Sequence, residues 1–383
     1  MRSLGVLDFS LQFVQLAALG VLVAILLLIL FIIEYRLRIK ARAKKWAPVL
    51  ADARRKMLRA AAVGEVGRAE IPRMSKRATR DVLMSAARLL NDIKGTSHAD
   101  LVSFLHEAGY VDLAQSQLRS RRAISRGVAC EFLGSLSQID FAPQIEPLIT
   151  DSDRDVRNTA ARALGRLHDP AATDSLLRSL VGPHAIGTAL IETALLRIGP
   201  AVAPPLLASL EGGANQVVDV SARVLGMLNI REARPALIDV LSSSRPVTTR
   251  YEAALALGRL GGGDSIAALT HQLAAAEEPE IRLAAARALS GNAASSGVRN
   301  LSAALTDQSP EVCRAAATAL AESGPGGRSA LELAASKLAE NSTAPESSEL
   351  LGVERAAAYA CEALAVQRIK SGHGPSRSVR QAG

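Results

Sequence analysis

The chain has 383 residues, of which 49% are hydrophobic and only 3% aromatic, so there is ample material for a core built mainly from small and aliphatic side chains. A net charge of +8 and a pI near 9.7 raise nucleic-acid binding as a hypothesis. The excess, however, lies wholly within residues 34–59; residues 1–33 balance and the remainder of the chain is neutral, which excludes a nucleic-acid footprint along most of its length.

The first predicted element is a transmembrane helix. No charged residue occurs from Phe9 to Ile33, and Leu16–Ile33 is almost wholly Leu, Ile, Val and Ala. At 1.5 Å per residue, about 20 such residues span a bilayer core. A cleaved signal peptide fits less well. The run exceeds the usual apolar region of about 7–15 residues, only Arg2 precedes it, and no small-residue cleavage site follows. The pattern predicts a short extracytoplasmic stretch over 1–10 and a single transmembrane helix over 11–33. Beyond it stand Arg36, Arg38, Lys40, Arg42, Lys44, Lys45, Arg54, Arg55, Lys56 and Arg59, opposed only by Glu34 and Asp52. The positive-inside rule then keeps everything after Ile33 in the cytoplasm, at the inner membrane. These residues, with Tyr35 and Trp46 as interfacial anchors, are expected at the membrane surface. Attraction to anionic headgroups and simple fixing of topology both account for them.

Residues 34–98 read as a basic juxtamembrane helical segment, with breaks at Pro48 and Pro72 and an apolar stripe at Val82, Leu83, Ala86, Ala87, Leu89 and Leu90. A divergent first hairpin follows: a helix over Ala99–Glu107, a turn at Gly109-Tyr110 and a partner helix over Val111–Leu118. The local cluster Arg119, Arg121, Arg122 and Arg126 reads as a solvated face, with a phosphate or partner site as the alternative. From there the chain repeats. The Leu that closes each first helix recurs at Leu133, Leu164, Leu195, Leu225, Leu257, Leu289 and Leu320, and the second helices keep the same beat at Leu180, Leu210, Leu241, Leu273, Leu305 and Leu338. In the best-defined unit, Asp153 or Asp155 caps a helix over Val156–Leu167, His168-Asp169-Pro170 ends it, and Ala171–Leu180 forms the second helix. Such a pair cannot bury both apolar faces alone, so it requires copies on either side.

Val156-Arg157 followed by Ala160-Ala161-Arg162-Ala163-Leu164-Gly165, with the echoes Ala222–Gly226, Leu255–Gly258 and Ala286–Leu289, resembles the HEAT repeat in its short form, shared with phycobiliprotein-lyase HEAT-like proteins. The resemblance implies an all-α fold: a right-handed α-solenoid of helical hairpins over 99–369, preceded by the transmembrane helix. Arg recurs seven residues before the closing Leu at Arg126, Arg157, Arg250 and Arg282, and Asp151 and Asp307 sit at equivalent places before their repeats. In HEAT proteins an Asp and an Arg at comparable positions form a ladder between neighbours, so the resemblance implies a structural role for these six. The ladder is incomplete, because Thr188, Val218 and Cys313 occupy the remaining Arg positions.

No constellation for catalysis, a cofactor or a metal emerges. The six His residues contain no HExxH pair. The single His106-Glu107 is similar to the pairs of a di-iron HEAT-repeat hydroxylase, which needs several. Cys130 and Cys361 occupy a repeat position otherwise filled by Ala, so they read as small buried residues in a reducing compartment. Bilin attachment lacks an exposed-Cys constellation, and no phosphate loop or nucleophile elbow is present. After Leu338 the polar insertion Glu340–Glu349 breaks the beat, Val353–Ile369 reads as a terminal capping helix, and 370–383 reads as a disordered tail. The resulting expectation is a membrane-anchored cytoplasmic scaffold without enzymatic activity, holding a protein partner at the inner membrane surface and not binding nucleic acid. The alternative is a lyase-like or ligand-binding HEAT-repeat enzyme.

Overall fold

The computed structural model describes residues 2–63, 76–290, 295–341 and 348–370; within these, the side chains of 2–19, 21, 38–46, 76, 295–296, 337–341, 348–354 and 368–369 lie outside the description. The expected break at Pro72, most of the insertion after Leu338 and the expected tail from Ser371 also fall outside it. Among the described residues all regular structure is helical. The chain divides into two compact units, Met1–Ser120 and Arg121–Gly383.

In the first unit, α1 (Arg2–Val63) is one helix, about 90 Å long at 1.5 Å per residue. The expected break at Pro48 does not occur. Proline removes one backbone donor, and the hydrogen-bond ladder resumes within a turn. Downstream of it, Ala53, Met57, Ala60 and Ala61 are buried where α1 meets α2 (Lys76–Asp92) and α3 (Thr96–Glu107). The stripe read on α2 is the face it buries: Val82, Leu83, Ala86, Ala87, Leu89 and Leu90. Gly109, with φ of 75°, turns α3 into α4 (Tyr110–Leu118). Upstream, the large apolar side chains from Leu22 to Ile33 are 43–64% exposed. Among the described residues, nevertheless, no single helix is long and apolar enough to cross a membrane. Much of the Phe9–Ile33 run lies outside the described side chains.

The second unit alternates two layers. The first helices are α5 (Ala123–Ser135), α7 (Arg154–Leu167), α9 (Thr188–Ile198), α11 (Asn215–Met227), α13 (Val247–Leu260), α15 (Pro279–Ala288) and α17 (Pro310–Glu322). Interleaved are the second helices α6 (Ala142–Ile145), α8 (Thr173–Arg178), α10 (Ala203–Gly212), α12 (Arg234–Ser242), α14 (Gly263–Ala275), α16 (Ser295–Ala303) and α18 (Gly324–Asn341), and α19 (Ser348–Lys370) packs on α17 and α18. Several second helices begin later than their apolar pattern suggests. Pro170–Ala172 and Pro200–Val202, for example, form 3-10 turns ahead of α8 and α10, each proline standing at the first position, where no intrahelical donor is needed.

Every closing Leu from Leu133 to Leu320 is fully buried, each burial stabilising by about 1.5–3 kcal/mol. The spacing holds because the position four residues later must reverse the chain. It has positive φ at Ser137, His168, Gly199, Asn229, Gly261 and Gly324. His168 is therefore a turn residue. Asp153 caps α7, its carboxylate accepting from the amides of Asp155 at 2.9 Å and Val156 at 3.2 Å.

Adjacent first helices touch at backbone distance. A β-carbon on Gly134, Gly165, Gly226 or Gly258 would come within 2.6–3.1 Å of the Ala facing it on the next first helix: Ala163, Ala194, Ala256 and Ala288 respectively. Two junctions lack this pairing: α15–α17, where Ser290 stands at the Gly position, and α9–α11. In the latter, Leu196 and Val224 stand at the Gly and Ala positions, and α9 approaches α11 less closely than α7 approaches α9. There the chain turns by 112° at Gly199 between α9 and the segment Pro200–Gly212; this bent pair is apolar enough, taken together, to pass for a broken span. Its large side chains Ile191, Leu195, Val202, Leu206 and Leu210 are instead buried.

Candidate functional site: the arginine positions and the second-helix groove

The recurring arginines do two things. Arg126 donates Nε and Nη2 to the two carboxylate oxygens of Asp151, both at 2.7 Å. Arg282 holds Asp307 in the same bidentate way at 2.7 and 2.9 Å, and its Nη1 also donates to the carbonyls of Ala276 and Glu277 at the end of α14. Arg250 pairs with Glu278 at 2.7 Å while its Nε donates to the Leu241 carbonyl of α12. Buried Arg157 donates to the carbonyls of Asp151 and Ser152 at 2.8 and 3.1 Å. Arg157, Arg250 and Arg282 thus satisfy carbonyls left open where a second helix or its 3-10 extension ends. Three of the four hold the acid that opens the next repeat.

Burial works to raise the Asp151 and Asp307 carboxyls. Hydrogen bonds from Arg126 and Arg282, and from the amides of Asp153 and Ser309, outweigh it and hold both below the ordinary carboxylate value. Glu278 is lowered chiefly by its hydrogen bond from Arg250.

Where the arginine is missing, other groups take over its work. Val218 fills the position in α11, and the carbonyls at the end of α10 are met by Arg245 from the following repeat. Its two terminal nitrogens donate to Leu210, Glu211, Gly213 and the Asn215 side chain at 3.1–3.3 Å. Cys313 fills the position in α17, and its thiol donates to the Asp307 carbonyl at 3.1 Å. A second set of links crosses the first-helix layer: Arg166 to Glu131 at 2.8 Å, Arg223 to Glu192 at 2.5 Å and to Glu252 at 3.0 Å, Arg287 to Tyr251 at 2.6 Å, and Ser290 to Glu322. Sequence reading missed these partners and Glu278, because they do not keep the spacing of Asp151 and Asp307.

Of the membrane-surface residues, Arg36, Arg54, Arg55, Lys56 and Arg59 are exposed on α1, with Lys56 bonded to Asp52 at 2.9 Å. The side chains of Arg38, Lys40, Arg42, Lys44, Lys45 and Trp46 lie outside the described residues. Cys130 is buried as expected, and burial pushes its thiol up to about 12, which keeps it protonated. Cys361 departs from that expectation and is exposed, since α19 has no further first helix packed over it. Among the described residues no group of three or more His, Cys, Asp or Glu stands together as a metal ion requires.

Two of the concavities among the described residues bear on binding. One lies between α17 and α19, where Arg314 sits 5.1 Å over the Tyr359 ring; its charges, Arg314 and Lys370 against Glu322 and Glu362, are balanced. The other lies between second helices α10 and α12, with about 960 Å³ of space, part of it open to solvent. Its floor is Leu207, Ala208, Ala236 and Val240, and its rim carries Glu211, Glu232 and Asp239.

The family model for HEAT repeats matches residues 111–195, 203–290 and 266–358, more than half of the chain. The chain belongs to the HEAT-repeat family. The unmatched interval 196–202 contains Leu196, where this HEAT array departs from its own Leu-Gly pattern. No curated protein matches the chain. Among solved structures it is similar to an engineered protein (22% identity over 77% of this chain and 89% of that one, TM-score 0.34). It is also similar to importin beta (12% over 77% and 49%, TM-score 0.46), so it spans about half of that protein's length. A third likeness is to human deoxyhypusine hydroxylase (19% over 75% and 98%, TM-score 0.25). Likenesses this distant carry nothing about function.

Proposed function

We propose that this HEAT-repeat chain is a membrane-anchored scaffold whose repeats lie in the cytoplasm and hold a protein partner at the inner membrane surface. The observation that carries the anchor is the run Leu22–Ile33 in α1. Its large apolar side chains are exposed all round a helix, which is unfavourable in water and expected in lipid. The sequence extends the same uncharged run back to Phe9, and the basic residues from Arg36 onward follow it directly. The binding role is supported by the α10–α12 groove and by the use of the strongest titratable contacts, at Asp151, Glu278 and Asp307, for packing between repeats. No observation favours the lyase-like alternative.

The test is membrane partition of the full chain. It should pellet with membranes after alkaline carbonate washing and keep residues 1–33 in its mature form by mass spectrometry. Leu26→Lys together with Ile29→Lys should release it, because each lysine at the centre of a span costs about 2.5–3.5 kcal/mol. A wild-type chain recovered in the soluble fraction, or one whose mature N-terminus lies near Tyr35, would contradict the anchor.

A further inference from the structure

We infer that the groove between α10 and α12 binds an extended protein segment bearing Lys and Arg side chains. The inference rests on the scaffold reading above and names the chemistry of its partner. Three features of the groove support it. Its floor (Leu207, Ala208, Ala236 and Val240) is apolar and accepts aliphatic stems, which lysine and arginine carry below their charged ends. Its rim carries Glu211, Glu232 and Asp239, all exposed. None of these three carboxylates takes part in an ion pair among the described residues, whereas Glu192, Glu252, Glu278 and Asp307 are each committed to an arginine. The one cation at the groove, Arg245, directs its terminal nitrogens to the carbonyls of Leu210, Glu211 and Gly213 and to Asn215. The rim is therefore left with a net negative charge that internal contacts do not answer.

Shape and charge together select the occupant. The space is an open trough between two helices, which suits a strand-like chain laid across them better than an enclosed small molecule. Nucleic acid is repelled by the same carboxylates. At the cytoplasmic surface of a membrane, Lys- and Arg-rich segments are abundant, because the positive-inside rule places them beside the spans of other membrane proteins. Complementary charge of this kind mainly speeds encounter and selects the partner, while floor contacts hold it.

The experiment uses the full chain in phosphatidylcholine nanodiscs, so that the lipid itself does not attract the probe. The probe is a fluorescein-labelled heptapeptide of alternating basic and alanine residues, read by anisotropy. Wild type should bind it, more weakly as salt rises. The combined substitutions Glu211→Gln, Glu232→Gln and Asp239→Asn should weaken binding by about tenfold. Ala208→Trp, which fills the floor and keeps every charge, should weaken it as well. Asp174→Asn, on exposed surface of α8, should leave it unchanged. No binding by wild type, undiminished binding by the triple variant or by Ala208→Trp, or an equal loss in Asp174→Asn would each overturn the inference. Those outcomes leave the anchor standing, since partition is measured separately, and a chain that fails to partition could still bind the peptide.

Discussion

Replacing Asp307 by Asn keeps the side chain's shape and removes the charge that Arg282 grips in two hydrogen bonds. The pair is only 11–16% exposed, so solvent screens it weakly. Leaving Arg282 without its counter-charge should cost about 1–3 kcal/mol at neutral pH. The pH dependence has a definite sign. The folded Asp307 carboxyl sits below its ordinary value, so its contribution is fully present above the unfolded value of about 3.9. That contribution is lost as pH falls through this value toward the lower folded one. Urea unfolding of Asp307→Asn should therefore show a large deficit at pH 7 and a smaller one near pH 3. Equal deficits at both would mean that the charge contributes nothing and only the hydrogen-bond geometry matters. At this scale the sequence was partly readable. Arg126, Arg157, Arg250 and Arg282 stand out because they recur at one repeat position, where each bonds the segment between a second helix and the next first helix. Arg245 does not, because it answers the need of the repeat before its own. Cys361 shares the phase of Cys130 and not its burial, since phase reports the helix face and burial depends on what packs against it.

At the scale of the helix, the glycine after four of the closing Leu residues, at Gly134, Gly165, Gly226 and Gly258, sets how near two first helices come. Gly258→Ala would place a β-carbon 2.6–2.7 Å from the backbone and side chain of Ala288, and α13 and α15 would have to move apart. The expected loss is about 1–3 kcal/mol. Gly127→Ala, inside α5 with nothing within 4 Å of the new carbon, should act in the opposite direction, stabilising by about 0.5–1 kcal/mol through helix propensity. Thermal unfolding of the two variants checks this, and a loss in both would show that the close approach is not what the glycine serves. The motif Leu-Gly is visible in sequence because backbone contact admits one residue type. The length of α1 is not, because Pro48 signals a break that helical bonding on either side overrides. The late starts of α8 and α10 escape pattern reading as well, since their opening 3-10 turns carry the same apolar spacing.

Over the second unit as a whole, stability in a repeat array is a sum of repeat terms and nearest-neighbour terms, so one weak junction divides it. The junction of α9 with α11 is weak on two independent counts. Leu196 and Val224 replace the Gly–Ala contact, and Thr188 and Val218 replace the arginine in two successive repeats. Beside buried apolar side chains of both helices, Arg223 ties the two sides together, holding Glu192 on one side and Glu252 on the other. Side chains there are 18–24% exposed, and partly buried ion pairs fix geometry more than they add stability. The unit should consequently open in two cooperative blocks, α5–α9 and α10–α19. Leu257→Asp in the full chain provides the discriminating perturbation, because an unpaired carboxylate at a fully buried site costs more than about 4 kcal/mol. Native-state hydrogen exchange should show α11, α13 and α15 losing protection together while α5 and α7 keep theirs. Loss of protection spreading evenly through α5 and α7 would show that the junction transmits as well as its neighbours do. Loss confined to α13 alone would show that even the Gly–Ala junctions do not couple repeats.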